Sequence, residues 1–336
     1  MNLTQRALIL VTAAAASLAP VIATPAAATS RSPASTSDPA PAACRVTATI
    51  PVGPDPEGVA ANPKTNRIYV TNSDNSTVSV IRGRTSTVVA TVRVGRLPFG
   101  VTANPKTNRI YVVNFGNNTV SVIRGRTSTV VATVHVGRFP EGNAANSKTN
   151  RIYVANGGPG SVSVIRGRTS TVTATIRVGF GATRVAANPK TNTIYVANGS
   201  TVSVVSGRTN TVTATVPVGD TAGGVAVNPK TNTIYVANVG SGSVSVISGR
   251  TSMVTATVPV GVEPIGIAVN PKTNTIYVAN LMDNTVSVIS GRTDTVAATV
   301  PAGREPFAIA ADPKTNTIYV ANSGSDTVSV LRCGKR

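Results

Sequence analysis

Tryptophan is absent from this chain of 336 residues, histidine occurs once and cysteine twice. A single histidine, His135, leaves little from which to build a histidine metal site or a His-dependent nucleophilic triad. Charged residues make up only 13% and aromatic residues 4%, and no sustained helical period runs through the sequence. Beyond the N-terminal leader, no apolar run is long enough to cross a bilayer as a helix. Acid is scarce too: 12 Asp and Glu face 31 Lys and Arg, for a formal charge of +19. Such an excess favours acidic partners but does not specify a fold. Val, Thr, Ile, Ala, Gly, Asn and Pro dominate, a mixture that suits β-strands joined by tight turns.

Residues 1–28 read as a secretory signal peptide. Arg6 supplies the positive start, Ala7 to Ala23 the apolar stretch, and Ala26-Ala27-Ala28 a small-residue cleavage site. An uncleaved anchor is the rival reading, weakened by Pro20 and the leucine-poor tail. Residues 29–43 (TSRSPASTSDPAPAA) read as a flexible linker. The chain is therefore expected to be secreted or held at a bacterial cell surface, with no transmembrane segment after cleavage, as a monomer.

All seven tyrosines occupy one place in a repeated unit: Tyr69, Tyr111, Tyr153, Tyr195, Tyr235, Tyr277 and Tyr319, spaced by 42, 42, 42, 40, 42 and 42 residues. Within one unit, Gly58–Ala61 is a small-residue strand and Asn62-Pro63-Lys64-Thr65-Asn66 a turn. Ile68–Val70 is a second strand, Thr77–Ile81 a third, Gly83–Ser86 a tight turn and Val88–Val94 a fourth. A period near 40 built from four short β segments predicts an all-β, seven-bladed propeller of four-stranded blades, with strands A to D running from the channel outward.

Tyr69-Val70-Thr71-Asn72 spells YVTN, and the other six copies read YVVN once and YVAN five times. The chain resembles the YVTN-repeat β-propeller family of exported and surface-layer proteins, over about residues 46–331. The resemblance implies the fold and brings no catalytic residue with it.

The chain begins and ends out of phase. Val46–Val52 matches strand D and Thr327–Leu331 matches strand C, so closure requires the N-terminal strand to complete the seventh blade. Aligned on the repeat, Cys333 falls where Gly83 sits and Cys44 where Ser86 sits, the two ends of a turn whose Cα atoms lie within about 7 Å. In an exported protein these cysteines are expected to form a disulfide across the chain break. A lipoprotein acylation site at Cys44 is the alternative, but it lacks the usual leucine and lies well beyond the apolar stretch.

Strand alternation sorts the charges onto two faces. The A–B and C–D turns carry Lys64, Lys106, Lys148, Lys190, Lys230, Lys272 and Lys314, with Arg84, Arg126, Arg168, Arg208, Arg250 and Arg292 around them. Blades one to three add Arg67, Arg82, Arg109, Arg124, Arg151 and Arg166 where later blades have Thr or Ser, and only Asp294 and Asp312 offset them. This sector is the candidate polyanion-binding surface, for an anionic envelope polymer or nucleic acid bound without sequence preference. Copied turns carrying copied cations for solubility explain the same residues, and both readings stay open.

The opposite face holds most of the acids and the most variable loops. One residue per blade is expected at the channel mouth there: Glu57, Phe99, Glu141, Thr183, Gly223, Ile265 and Phe307. The next position is Gly in five blades and Ala308 in the seventh, but Arg184 in the fourth. Carboxylates, aromatics and one arginine around a concave opening are the ingredients of a small-ligand pocket; drift of unconstrained loops is the competing account, under which Arg184 reaches solvent or pairs with Glu141 of the adjacent blade. The expected function is a non-catalytic binding or scaffold propeller, needing no metal or cofactor, with surface proteins among the candidate partners. The alternative is a small-molecule hydrolase or lyase with its site at the acidic face.

Overall fold

The computed structural model describes residues 44–334; the expected signal peptide (1–28) and linker (29–43) lie outside the described residues. Blade one is Pro56–Asn62, Arg67–Asn72, Thr77–Arg82 and Thr87–Arg93, hydrogen-bonded in that order as an antiparallel sheet. Five further sheets repeat this order along the chain. We label the strands A to D within each blade.

Local chemistry sets the hairpins. In the first A–B turn Lys64 N donates to Asn62 Oδ1 at 3.1 Å, and Asn66 closes the turn at φ 49°, a left-handed conformation that asparagine tolerates. The equivalent asparagines of the other six blades take the same conformation. On each outer strand a register shift such as that between Val80 and Ile81 marks a β-bulge, which twists the exposed edge away from further pairing. Ring formation leaves its own signature at the channel: the A-strand residue Asn62 donates through Nδ2 to Asn108 Oδ1 of the next blade at 2.9 Å. The same bond recurs from Asn104, Asn146, Asn188, Asn228 and Asn270. At the seventh junction Asp312 replaces the amide donor.

The core is a series of seams rather than one centre. Tyr69 is fully buried with Val78, Val80 and Val92 of its own blade and Ile110, Val112 and Ile123 of the next. All seven tyrosines are at most 1% exposed, so the repeat's aromatic position is inter-blade packing, as expected of it.

The ring closes as predicted. Cys44–Pro51 pairs antiparallel with Thr327–Cys333, which continues through Thr317–Asn322 to Pro306–Asp312, completing blade seven. Cys44 and Cys333 are register partners, their Cα atoms 4.0 Å apart, and they form the disulfide. Two details differ from the sequence reading. Strand A begins at Pro56 rather than Gly58, so residues placed just before the strand lie within it. A single 3-10 turn, Phe115–Asn117, also interrupts the β structure.

Candidate functional site

The channel end on the acidic face is built from the second and third residues of each A strand. At the third position a Cβ on Gly58 would collide with the Phe99 carbonyl of the next blade, and one on Gly100 with the Glu141 carbonyl. Glycine there lets neighbouring backbones approach closely. Arg184 breaks the pattern, and its long side chain turns across the channel.

Its guanidinium Nη1 lies 3.2 Å from Glu141 Oε2. The same guanidinium carbon sits 4.9 Å from the Phe99 ring centre and 5.9 Å from that of Phe307. Phe99 and Phe307 meet edge to face, 5.6 Å between centroids. The Arg184–Glu141 pair between adjacent blades is the contact expected if no ligand is bound there; the convergence with Phe99 and Phe307, from blades two and seven, is what the spacing in sequence could not reveal.

Ile265 joins Phe99 and Phe307 in an apolar cluster completed by Leu281, with Phe115 packed against it. These last two were missed. They share one repeat position, directly after the YVxN asparagine, where the other copies carry Ser73, Gly157, Gly199, Val239 and Ser323; a large apolar residue there was the available signal, though an imperfect one, since Val239 does not join the cluster.

Glu57, Phe99, Glu141, Ile265 and Phe307 are all buried, and Thr183 and Arg184 half-buried. The cavity left in the channel is about 130 Å³, lined by Glu57, Arg184, Phe99 and Phe307 and by aliphatic residues such as Val59 and Ile267. Burial pushes the Glu141 carboxyl from its usual 4.5 to about 7, although the Arg184 charge opposes the rise. The mouth thus holds the expected ingredients, but Arg184, Glu141 and the two phenylalanines are engaged with one another.

On the opposite face the arginines of blades one to three fall into two groups. Arg67 stands directly opposite Arg82 in the sheet register, Arg109 opposite Arg124 and Arg151 opposite Arg166. Like charges so placed repel, and the structure separates them by giving one of each pair to the neighbouring blade. Arg67 Nη1 donates to Gly125 O at 3.0 Å and Ser128 Oγ at 3.2 Å. Arg109 repeats this with Gly167 O and Ser170 Oγ, and Arg151 reaches Gly207 O at 2.8 Å.

Those three are half-buried staples between blades. Arg82, Arg124 and Arg166, with Arg84, Arg126 and Arg168, are exposed, as are all seven turn lysines. Of the two acids expected to offset this face, Asp312 is buried at 1% exposure and only Asp294 remains near the surface. His135 is exposed on an outermost strand. No described helix is long and apolar enough to cross a membrane.

A family model for the NHL repeat matches residues 54–81, the first three strands of blade one. Among solved structures, Kuenenia stuttgartiensis hydrazine synthase is similar, with a TM-score of 0.77 at 19% identity over 84% of this chain and 96% of that one. At that identity the likeness shows the fold alone. Matches extend to 1574 chains of solved structures, so the architecture is widespread and assigns no chemistry. No curated protein matches the chain. The repeat match and the fold support a β-propeller repeat family.

Proposed function

We propose that this chain is a secreted or surface-held, YVTN-type propeller that binds anionic polymers through the basic face and is not an enzyme. One observation carries the reading: three consecutive blades each keep an exposed arginine, Arg82, Arg124 and Arg166, directly opposite a second arginine already committed to an inter-blade bond. A cation kept at a repulsive position in a sheet, where blades four to six pair Thr with Ser and blade seven pairs Thr317 with Arg332, is better explained by an anion than by folding. Envelope polymer or nucleic acid would both satisfy it, and without tryptophan or exposed tyrosine to stack bases the binding is non-specific.

Changing Arg82, Arg124 and Arg166 to Ser, the residue of blades four to six, spares the stapling arginines. Polyanion affinity measured across a salt series is expected to lose up to about 2–3 from its log–log slope, as three phosphate contacts disappear. Coincident slopes would sink the idea. A small-molecule hydrolase or lyase is the second reading. It is favoured by Glu141, pushed up to about 7 by burial beside a cavity. The mutual engagement of Glu141, Arg184, Phe99 and Phe307 counts against it.

A further inference from the structure

Tyr235, Tyr277 and Tyr319 reach the C–D turn of the following blade, at Asp294, Cys333 and Gly83, and in blades one to three an arginine stands beside the corresponding phenol. Arg67 lies beside the Tyr69 phenol, where its charge opposes the upward push of burial, and its guanidinium ends on Gly125 O and Ser128 Oγ. The seam is thus a fitted guanidinium holder: a phenol on one side, a carbonyl and a hydroxyl at the end.

At the seam between blades five and six Thr233 replaces that arginine. The space it would fill is an open cavity of about 200 Å³, lined among others by Thr233, Tyr235, Ser248, Gly291 and Asp294. Gly291 and Asp294 are the repeat counterparts of Gly125 and Ser128. The carbonyl acceptor is retained and the hydroxyl acceptor has become a carboxylate, while the cation that used them is gone.

Asp294 makes the vacancy chemically pointed. Its Oδ1 is buried and has no hydrogen-bond partner among the described residues. Its charge also adds to burial in pushing the Tyr235 phenol up to about 12. Arg250 stands at the cavity's rim, exposed, and makes no ion pair with Asp294 among the described residues. A partly desolvated carboxylate beside a backbone carbonyl at the cavity wall is the arrangement that a planar, forked donor satisfies best and that a compact ammonium satisfies poorly. The other arginine-free seams lack this feature: Ser252 and Ser86 hold the corresponding place after blades four and seven, and the disulfide holds it after blade six.

We propose that the seam between blades five and six is a binding site for a guanidinium group, contributed either by an arginine side chain of a peptide partner or by a free alkylguanidine. The ligand reproduces in trans the contact that Arg67 makes in cis. Agmatine and a doubly blocked arginine test the two sources, titrated calorimetrically into the full secreted chain with tetramethylammonium at equal ionic strength as the control cation. Saturable one-site binding by either guanidine, absent for tetramethylammonium, is the expected result; which of the two binds identifies the source, and binding by neither overturns the proposal. Thr233→Arg restores the covering arginine and is expected to abolish binding. Asp294→Ser installs the residue found in most blades and so leaves the fold alone; it is expected to weaken binding roughly ten- to hundredfold. Unchanged affinity in Asp294→Ser would overturn the site even if Thr233→Arg failed to fold.

Discussion

Removing the disulfide should expose how much of this ring's stability depends on closing it. Cys44 and Cys333 are 289 residues apart in sequence, so the bond constrains nearly the whole described chain when unfolded. The chain-entropy relation for a loop of that size gives about 5–6 kcal/mol at 25 °C as a ceiling. Two features lower it. Unfolded chains are more compact than the ideal coil that relation assumes, and the terminal strand remains held without the bond by a ladder running from Arg45 opposite Arg332 to Pro51 opposite Thr327. We expect a loss of about 2–5 kcal/mol.

The assay is guanidinium chloride unfolding of oxidised and reduced wild type beside Cys44→Ser/Cys333→Ser, followed by far-ultraviolet circular dichroism and tyrosine fluorescence. Reduced wild type is the necessary companion, because Cys333 Sγ lies 3.7 Å from Tyr277 Oη and serine alters that contact as well. The denaturant slope should rise when the bond is absent, since the freed chain exposes more surface on unfolding. Equal midpoints and slopes for oxidised and reduced protein would refute the reasoning, and two free thiols in peptide maps of protein purified without reductant would refute its premise.

Two further perturbations test the channel from its opposite ends. Glu141 has a folded pKa of about 7 against 4.5 when unfolded, so the native state holds the extra proton between those values and stability falls as pH rises through that window. Relative to Glu141→Gln, wild type should lose up to about 3 kcal/mol between pH 4.5 and pH 8; parallel denaturation midpoints across that range would show that burial does not penalise the charge. At the other end, Asp312 Oδ2 and Asn66 Oδ1 are both buried acceptors without a partner, where six other junctions pair an amide donor with this oxygen. Asp312→Asn should therefore stabilise the protein by about 1–3 kcal/mol in thermal or denaturant unfolding, and a destabilised variant would mean that the carboxylate has a partner there.

Much of the fold was legible because the repeat states its own geometry several times over. Proline and asparagine at the A–B turn, and a tyrosine at one fixed position, each have a local physical reason that holds in every copy. Closure was legible from phase: a strand D without its blade at one end and a strand C without its outer neighbour at the other can only complete each other. The boundaries of strand A were less so. Pro56 opens that strand, as Pro98 and Pro140 do in the next two blades, because the first ladder position tolerates a residue without an N–H. Placing the mouth residues outside the strand made them seem more open than they are.

The site was legible in composition and in the pairing of Arg184 with Glu141 of the adjacent blade, but not in its contacts across the channel, and the difference is physical. Strand periodicity tells which face a residue serves, whereas the reach of an arginine across a channel depends on what the other six blades leave empty. Arg184 could be flagged as the odd member of a glycine ring, yet its meeting with Phe99 and Phe307 joins blades that are far apart in sequence. The blade-five seam shows the converse. Thr233 is unremarkable by itself, since three other blades carry threonine there, and Asp294 reads as one more surface acid. Only the bond from Arg67 to Gly125 and Ser128 shows what the missing side chain did, and hence what an incoming group would have to be. In a ring of near-copies, the seams that keep their arginine define the chemistry of one that has lost it and gained a carboxylate.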